Sequence, residues 1–371
     1  MDRIEQTERE VVMILEHPNF LRELPKTDLH LHLDGSLRVE TLQELARTQS
    51  ITLPVESEME LRRQLTPEMR PGSLEKYLEA FVITLSVLQE PENLRRVSRE
   101  IVEDAAQDGV RYVEVRFSPI LHLERGYAME AILEGVLAGL AEGTAATGVQ
   151  SGTIVCGMRH IDPKVSEKLA ELAVAYKSKG VVGFDLAGAE QDYPAKHHRE
   201  AFYIIRNNNV NCTCHAGEGY GPASIHQAIH WCGAHRIGHG TRLREDPDLM
   251  SYVNDRRIPM EMCLSSNLQT GLVERLEEHP FPFYYKQGLR VTLNSDNTLV
   301  SATTMTREYR LAVEAFRLGI ADVRKIVVNG FKSAFLPFPK KAAMLTQVLD
   351  EMDGLIARTF GAQYVPPRDH F

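Results

Sequence analysis

The chain has 371 residues, of which 43% are hydrophobic and 25% are charged, as is ordinary for a globular protein. These values exclude a disordered, collagen-like or coiled-coil chain, and the length suits one large α/β barrel with insertions. The formal net charge of −9 provides no attraction to nucleic acid or to an anionic membrane surface. The charge therefore favours a small-molecule ligand and argues against a nucleic-acid or membrane partner.

The cysteines and the N-terminal residues indicate the cellular compartment. The five cysteines are odd in number and never form a C-x-x-C motif, so we expect no disulfide framework and a reducing compartment. The first residues are acidic where a signal peptide needs a positive start. No segment reaches the roughly 18 apolar residues of a membrane helix. We therefore expect a soluble cytoplasmic protein.

Eight short apolar or β-branched segments alternate with segments of helical periodicity. The eight segments are residues 26–32, 111–117, 152–158, 181–187, 210–215, 236–239, 258–263 and 290–295. A strand followed by a helix, repeated eight times, predicts a (β/α)₈ barrel. We see no linker or internal repeat, and we therefore expect a single domain over residues 1–371.

The connection after the first predicted strand is much longer than the others, and we place a helical insertion at about residues 36–108. Within this insertion four apolar residues fall at positions i, i+3, i+4 and i+7, which is one face of a helix. They are Leu74, Tyr77, Leu78 and Phe81. Such a face is by default core packing. Residues 303–359 predict two or three further helices on the outside of the barrel.

Two histidines lie two positions apart in the first predicted strand. Because alternate residues of a strand share a face, His30 and His32 point the same way. Two imidazoles on the inner face of a barrel have the geometry of metal ligands. A pair of histidines at this spacing is more often structural, so the other residues at the strand ends decide between the two interpretations.

Further polar residues follow the ends of the fifth, sixth and eighth predicted strands. His215 and Glu218 follow the fifth strand, His239 lies between two glycines after the sixth, and Asp296 follows the eighth. We expect the glycines to let a substrate approach His239. Active sites of such barrels form at the carboxyl ends of the strands, so these groups should converge. Three histidines and one carboxylate suit zinc with an open position for water, which leaves Glu218 and His239 for proton transfer.

These residues and the segments around them resemble the adenosine deaminase family of metal-dependent amidohydrolases. The matching segments are PKTDLHLHLDGSL, SLEKYLEAF, GVRYVEVRFSP, VVGFDLAGAE, CHAGEG, RIGHGTRL, CLSSN and LNSDN. They occur in the order found in the family. The resemblance implies a zinc-dependent hydrolytic deaminase that acts on a purine nucleoside and converts adenosine to inosine and ammonia.

The resemblance also implies which residues perform the reaction. One zinc ion would be held by four ligands: His30, His32, His215 and Asp296. Glu218 would protonate N1 of the purine, and His239 would orient the zinc-bound hydroxide. A proton donor at N1 is needed because hydroxide attack on C6 moves negative charge onto the ring.

Other residues would contact the substrate. By the resemblance, Asp34 would meet the ribose 5′ hydroxyl, the backbone of Gly188 would meet N3 of the base, and His32 would also line the substrate site. In this family the helix that carries the four apolar residues of the insertion closes over the nucleoside. These four residues, Leu74, Tyr77, Leu78 and Phe81, are therefore candidates for a hydrophobic gate as well as for core packing.

One position departs from the common family pattern. Asn297 follows Asp296 where many members have a second aspartate, to which a hydrogen bond with N7 of the purine is assigned. The N7 atom only accepts hydrogen bonds, and a carboxamide always carries N–H donors. We therefore expect Asn297 to keep the recognition of N7.

Several alternative functions remain open at this point. The carboxylate of Asp34 should repel a 5′ phosphate, which disfavours AMP. The alternative substrates are 6-aminodeoxyfutalosine, an adenosine-like intermediate of menaquinone synthesis, and then adenine. The alternatives from other classes are a metal-dependent phosphoesterase and a non-catalytic zinc-binding relative of the family.

Overall fold

The computed structural model describes residues 3–66 and 74–368. It contains eight parallel strands, each hydrogen-bonded to the next in chain order. They are β1 (Lys26–His32), β2 (Val110–Phe117), β3 (Gln150–Met158), β4 (Val181–Ala187), β5 (Asn211–Ala216), β6 (Arg236–His239), β7 (Met260–Met262) and β8 (Val291–Leu293). All eight predicted segments form strands, and the predicted (β/α)₈ barrel is confirmed.

The chain after β8 returns to β1 and joins the two edges of the sheet. Leu31 and Asp296 form a parallel β-bridge. The His32 N–H donates to the Asp296 carbonyl oxygen at 2.7 Å, and the Asp296 N–H donates to the His30 carbonyl oxygen at 2.8 Å. The contact that closes the barrel thus lies among the candidate metal ligands.

Helices surround the barrel. Those in the described residues are α1 (Arg3–Glu16), α2 (Pro18–Glu23), α3 (Val39–Thr48), α4 (Glu58–Leu65), α5 (Leu74–Val87), α6 (Pro91–Gln107), α7 (Met129–Thr147), α8 (Pro163–Ala175), α9 (Arg199–Asn207), α10 (Pro222–His230), α11 (Pro247–Asp255), α12 (Leu264–Gln269), α13 (Phe281–Lys286), α14 (Met305–Phe316), α15 (Ile320–Ser333) and α16 (Phe338–Phe360). None of the helices in these ranges has the length and apolar character needed to cross a bilayer.

Four helices, α3 to α6, lie between β1 and β2, where the insertion is predicted. Helix α6 packs against β2 and α7, as a helix of the barrel does, whereas α3, α4 and α5 contact one another. The C-terminal part forms the three helices α14, α15 and α16, and α15 packs against β1 and β8. The three helices agree with the prediction for this part of the chain.

The barrel interior contains buried ion pairs as well as apolar side chains. Arg236 of β6 pairs with Glu114 of β2 and with Glu261 of β7, and all three side chains are almost completely buried. The Arg236 guanidinium also lies 3.5 Å from the ring centre of Phe335. Buried charges are costly unless they are paired, and these pairs meet that requirement. Charged groups on neighbouring strands therefore fill the barrel interior.

The packing of α6 against α7 depends on glycines that recur every four residues in α7. A Cβ atom on Gly135 would lie 2.4 Å from the carbonyl oxygen of Pro91, and one on Gly139 would lie 2.0 Å from that of Arg95. Both contacts are with backbone atoms of α6, which cannot turn aside as a side chain can. The two helices can therefore approach this closely only where no side chain stands between them.

We predict that Gly139→Ala lowers the free energy of unfolding by about 1–3 kcal/mol, because the added methyl group forces the two backbones apart. Urea denaturation measures the effect. Gly354→Ala in α16 is the matched control, since its Cβ would meet only the flexible Arg358 side chain, at 3.2 Å. The control should gain up to about 1 kcal/mol from helix propensity. Equal stability of Gly139→Ala and the wild type would contradict the close approach of α6 and α7.

Candidate active site

A cavity of about 240 Å³ lies at the carboxyl ends of the strands. Its lining includes most of the residues singled out in the sequence: His32, Asp34, Tyr77, Leu78, Phe81, Gly188, His215, Glu218, His239, Asp296 and Asn297. His30 is fully buried and lies against Asp296, outside the lining. The side chain of Leu74, at the start of α5, lies outside the described residues. The structure thus brings together every other candidate residue.

The proposed metal ligands lie within a few ångströms of one another. The Nε2 atoms of His30 and His32 each lie 3.5 Å from Asp296 Oδ1. His32 Nε2 lies 3.1 Å from His215 Nε2. His30 Nε2 is buried and has no hydrogen-bond partner. Nitrogen and oxygen atoms at these separations fit a divalent metal ion such as zinc, which would satisfy all of them at once.

Two further side chains, those of His239 and Cys263, lie close enough to be considered as metal ligands. Within residues 3–66 and 74–368, each group of side chains whose spacing fits a metal ion includes His30: one adds His215 and His239, and the other adds Cys263 and Asp296. Burial raises the pKa of the Cys263 thiol well above its ordinary value, which disfavours the thiolate that a metal requires. The sequence analysis missed Cys263.

Two of the candidate metal-ligand histidines have their Nδ1 atom facing a carboxylate. His30 Nδ1 lies 2.8 Å from Glu261 Oε2, and His215 Nδ1 lies 2.9 Å from Asp185 Oδ2. A carboxylate attracts the ring proton to Nδ1, so the Nε2 lone pair of each ring remains free to bind a metal. The orientation and tautomer that metal binding needs are thus set by the protein.

Arg116 of β2 connects these two carboxylates. Its guanidinium donates to Asp185 at 2.9 Å and to Glu261 at 2.8 Å. Burial acts to raise the pKa of Asp185, but the charges of His215 and Arg116 outweigh it and lower the pKa well below its ordinary value. Asp185 is therefore ionised at every pH at which the protein would be used.

These partners of the candidate metal-ligand histidines were not predicted from the sequence. Arg116, Asp185 and Glu261 are charged residues within predicted strand segments: RYVEVRF, VVGFDLA and IPMEMC. A charged residue within a buried strand needs a partner, and this signal could have identified all three residues. It could not have shown which charge pairs with which.

The loop that carries Glu218 is held through its backbone. The carboxylate of Glu190 accepts the N–H groups of Gly217 at 2.6 Å, Glu218 at 2.9 Å and Tyr220 at 3.1 Å. Burial raises the pKa of Glu218 well above its ordinary value, and the charges of Asp296 and Glu190 raise it further. The raised pKa favours the protonated carboxylic acid, which can donate a proton.

His239 and Asp296 have strained backbone conformations. Their φ angles are 61° and 63°, in the left-handed region that few residues other than glycine adopt. Such conformations are concentrated at functional sites, where the surrounding structure compensates for their cost. His239 Nε2 lies 3.4 Å from Glu218 Oε2. The two groups predicted to handle protons are therefore neighbours.

The expectation that the glycines beside His239 admit a substrate is wrong. A Cβ atom on Gly238 would lie 3.1 Å from the Cα atom of His215 and 3.2 Å from Cε1 of His30. One on Gly240 would lie 3.0 Å from the sulfur of Met260. Neither glycine lines the cavity. The glycines make room for the metal-site histidines and for the barrel core.

Two predicted substrate contacts have unsatisfied polar atoms. Burial raises the pKa of Asp34 to about 7, and its Oδ1 atom has no hydrogen-bond partner. Asn297 donates through Nδ2 to the hydroxyl of Tyr77 at 2.7 Å, while its own Oδ1 atom is buried without a partner. The Tyr77 hydroxyl lies 2.7 Å from Ser301 Oγ. Helix α5 is thus hydrogen-bonded to the residue that we expect to recognise N7.

The cavity also contains residues that the sequence analysis missed. They are Leu85, Phe117, Ser118, Leu121, Cys156, Met158, His160 and Ala187. Phe117, Met158 and Ala187 are the last residues of β2, β3 and β4, so the rule that identified the other strand ends could have found them. No arginine or lysine of the described chain lines the cavity.

Comparisons with known proteins agree with this geometry. The sequence profile for adenosine deaminase matches residues 25–351. An adenosine deaminase of Mycobacteroides abscessus is 44% identical over 346 residues, which are 89% of this chain and 95% of the relative. A probable adenosine deaminase of Dictyostelium discoideum is 42% identical over 323 residues, which are 87% of this chain but 42% of that longer protein. The crystal structure of an adenine deaminase of Arthrobacter aurescens has a TM-score of 0.83 at 27% identity, covering 88% of this chain and 98% of that one.

We predict that Asp185→Asn lowers the affinity for zinc about 10- to 100-fold, because His215 loses the charge that fixes its orientation. Titration of the metal-free protein against a chelator measures the affinity. Glu100→Gln is the matched control, because Glu100 is a buried carboxylate that accepts a hydrogen bond from Thr41 Oγ1 at 2.6 Å and lies on α6. Its zinc affinity should equal that of the wild type. Unchanged affinity in Asp185→Asn would show that Asp185 does not support the site.

Proposed function

The chain belongs to the adenosine deaminase family, and we propose on that basis that it hydrolyses adenosine to inosine and ammonia with one zinc ion per chain. It is a hydrolytic deaminase that acts on a carbon–nitrogen bond. The observation that carries the assignment is the buried carboxylic acid of Glu218, which shares one cavity with the histidine and aspartate cluster. Family membership removes the phosphoesterase alternative. The presence of both Glu218 and His239 argues against a non-catalytic relative.

We assign the zinc ligands to His30, His32, His215 and Asp296. When bound, zinc lowers the pKa of water and so supplies a hydroxide nucleophile near neutral pH. The carboxylates of Glu261 and Asp185 keep the ring protons of His30 and His215 on Nδ1, away from the metal. Burial of the cluster protects these groups from competing water.

We assign the proton transfers to Glu218. Attack on C6 forms a carbon–oxygen bond and moves an electron pair to N1, which takes the proton of the Glu218 carboxylic acid. The resulting carboxylate receives the proton of the attacking oxygen and passes it to the amino group at C6. The carbon–nitrogen bond then breaks and ammonia leaves. The Glu218 carboxylate takes up the proton that the next water molecule loses on becoming hydroxide, so that adenosine and water give inosine and ammonia.

The cavity favours a substrate with a neutral 5′ group. Asp34 places an unpaired buried carboxyl group there, and no described arginine or lysine is present to neutralise a phosphate. We therefore assign Asp34 to the 5′ hydroxyl of adenosine and disfavour AMP. The bulky 5′ group of 6-aminodeoxyfutalosine needs space near α5, where Leu78 and Phe81 already border the cavity.

The remaining substrate contacts are part of the same proposal. We assign the backbone of Gly188 to N3 of the base and His32 to the wall of the substrate site. Tyr77, Leu78 and Phe81 of α5 border the cavity, as a gate over the nucleoside requires. The movement of α5 and the cytoplasmic location stay predictions.

Steady-state rates on four compounds test the proposed function. We expect kcat/KM for adenosine to exceed those for 6-aminodeoxyfutalosine, adenine and AMP by at least about tenfold, or 1.4 kcal/mol. Glu218→Gln should keep its zinc but lose about 10²- to 10⁴-fold in kcat, because an amide cannot supply the proton. This variant also controls for contaminating deaminases. A higher kcat/KM on another compound would reject adenosine as the substrate, and full activity of Glu218→Gln would reject the assigned acid.

We predict that Asn297 donates its second N–H to N7 of the purine, while the first remains with Tyr77. The substrate 7-deazaadenosine, which has carbon in place of N7, should then lose about 10- to 100-fold in kcat/KM. Asn297→Ala should lose a similar factor on adenosine and discriminate little between the two nucleosides. Tyr77→Phe is the control, since it leaves the donors of Asn297 in place and should keep the discrimination. The same discrimination in the wild type and Asn297→Ala would reject the contact with N7.

A further inference from the structure

A chain of hydrogen bonds leads from a backbone amide to His239. The Phe281 N–H donates to His279 Nδ1 at 3.1 Å. His279 Nε2 lies 3.1 Å from Asn267 Oδ1, and Asn267 Nδ2 lies 3.0 Å from His239 Nδ1. All four residues are at most 2% exposed. The chain therefore runs through a part of the protein that is shielded from solvent.

The backbone amide sets the direction of every bond in this chain, because a peptide N–H can only donate. His279 Nδ1 must accept, so the ring proton of His279 lies on Nε2 and is donated to the carboxamide oxygen of Asn267. The NH₂ group of Asn267 consequently faces His239. The His239 Nδ1 atom must then accept, and the proton of the neutral His239 ring lies on Nε2.

The protonation state of His279 agrees with this direction. Burial, together with a smaller effect of the charge of Arg244, lowers the pKa of His279 to about 3. The neutral ring, which is the form that the chain of hydrogen bonds requires, is therefore present at neutral pH. A charged ring would place a second proton against the Phe281 N–H.

The group that faces the Nδ1 atom distinguishes His239 from His30 and His215. The Nδ1 atoms of His30 and His215 face carboxylates, which leaves a lone pair on Nε2. The Nδ1 atom of His239 faces an N–H donor, which leaves a proton on Nε2. The three rings are close enough to one another to share a metal ion. Only His30 and His215, however, present an Nε2 lone pair to it.

We propose that Asn267 and His279 are positioning residues that hold His239 with its Nε2–H directed at the reacting oxygen. The inference rests on the proposed deamination for its catalytic meaning. His239 is then a hydrogen-bond donor that does not bind the metal through Nε2. It also does not accept the proton of the attacking oxygen, which passes to Glu218 once N1 is protonated. Neither Asn267 nor His279 lines the cavity, so both act on the reaction through His239.

The tautomer of His239 tests the proposal directly. The full-length, zinc-loaded protein is labelled with ¹⁵N-histidine, and the signals of His239 are identified by their loss in His239→Ala. We expect a protonated Nε2 and an unprotonated Nδ1. A proton on Nδ1, alone or in addition to Nε2, would overturn the proposal. No substrate is present, so this result stands or fails separately from the identity of the substrate.

Kinetics of Asn267→Ala test the positioning role. We expect kcat on adenosine to fall about 10- to 100-fold while KM stays near that of the wild type, because the lost contact orients a reacting group and does not bind substrate. The His239 signals should no longer show a single tautomer. Thr270→Val is the matched control: it removes the buried bonds from Thr270 Oγ1 to the carbonyl oxygens of Ser266 and Asn267, and it leaves the Asn267 side chain in contact with His239. Wild-type kcat in a folded Asn267→Ala protein would overturn the role.

A pair of substitutions at position 279 tests the other end of the chain. His279→Leu removes the donor that orients the Asn267 amide, whereas the side chain of His279→Gln can still offer an N–H to Asn267 Oδ1. We expect His279→Gln to keep more of the wild-type kcat than His279→Leu, with similar KM values. Equal kcat in the two variants would overturn the role of His279. If either variant does not fold, the tautomer of the wild-type protein still decides the proposal.

Discussion

The buried guanidinium of Arg116 is the group on which the order of the active site depends. It contacts Asp185 and Glu261, and each of these carboxylates in turn faces a histidine of the proposed metal site. Bringing such charges out of water costs several kcal/mol for each ion unless every one finds a partner. Each of these charges has a partner in the structure, and the two carboxylates orient the rings of His30 and His215.

Contact with this guanidinium also gives Asp185 a different pKa from the other buried acids of the site. Asp185 is as deeply buried as Asp34 and Glu218, and burial alone raises the pKa of all three carboxyl groups. The contact with Arg116 helps to reverse the shift at Asp185, which stays ionised. The pKa values of Asp34 and Glu218 remain raised, because burial dominates and no arginine or lysine of the described residues lines their cavity. The barrel therefore holds an ionised carboxylate, Asp185, behind the proposed metal ligand His215, and an acid of raised pKa, Glu218, at the proposed position of proton donation.

Backbone groups supply the remaining orientation. Three N–H groups bind Glu190 and hold the loop that carries Glu218, while the N–H of Phe281 starts the chain of hydrogen bonds that ends at His239. A peptide N–H cannot change from donor to acceptor, so it gives a fixed reference to side chains that can do both. The direction of the proton on His239 follows from a peptide group three hydrogen bonds away.

The sequence by itself determined the eight strands, the barrel and most of the residues around the cavity. Period-two alternation identifies a strand face, and the barrel topology brings the carboxyl ends of all its strands together, so His30, His215 and Asp296 could be placed at one end without coordinates. Only the tertiary structure decided which buried charges pair, because Arg116 meets Asp185 and Glu261 across strands far apart in sequence. It also corrected the role of the glycines beside His239, since a sequence does not show which atoms pack against a glycine. Which ring nitrogen of His239 carries the proton could not be predicted from the sequence. It depends on hydrogen bonds among Asn267, His279 and Phe281, and these require the three residues to be placed to within a hydrogen-bond length.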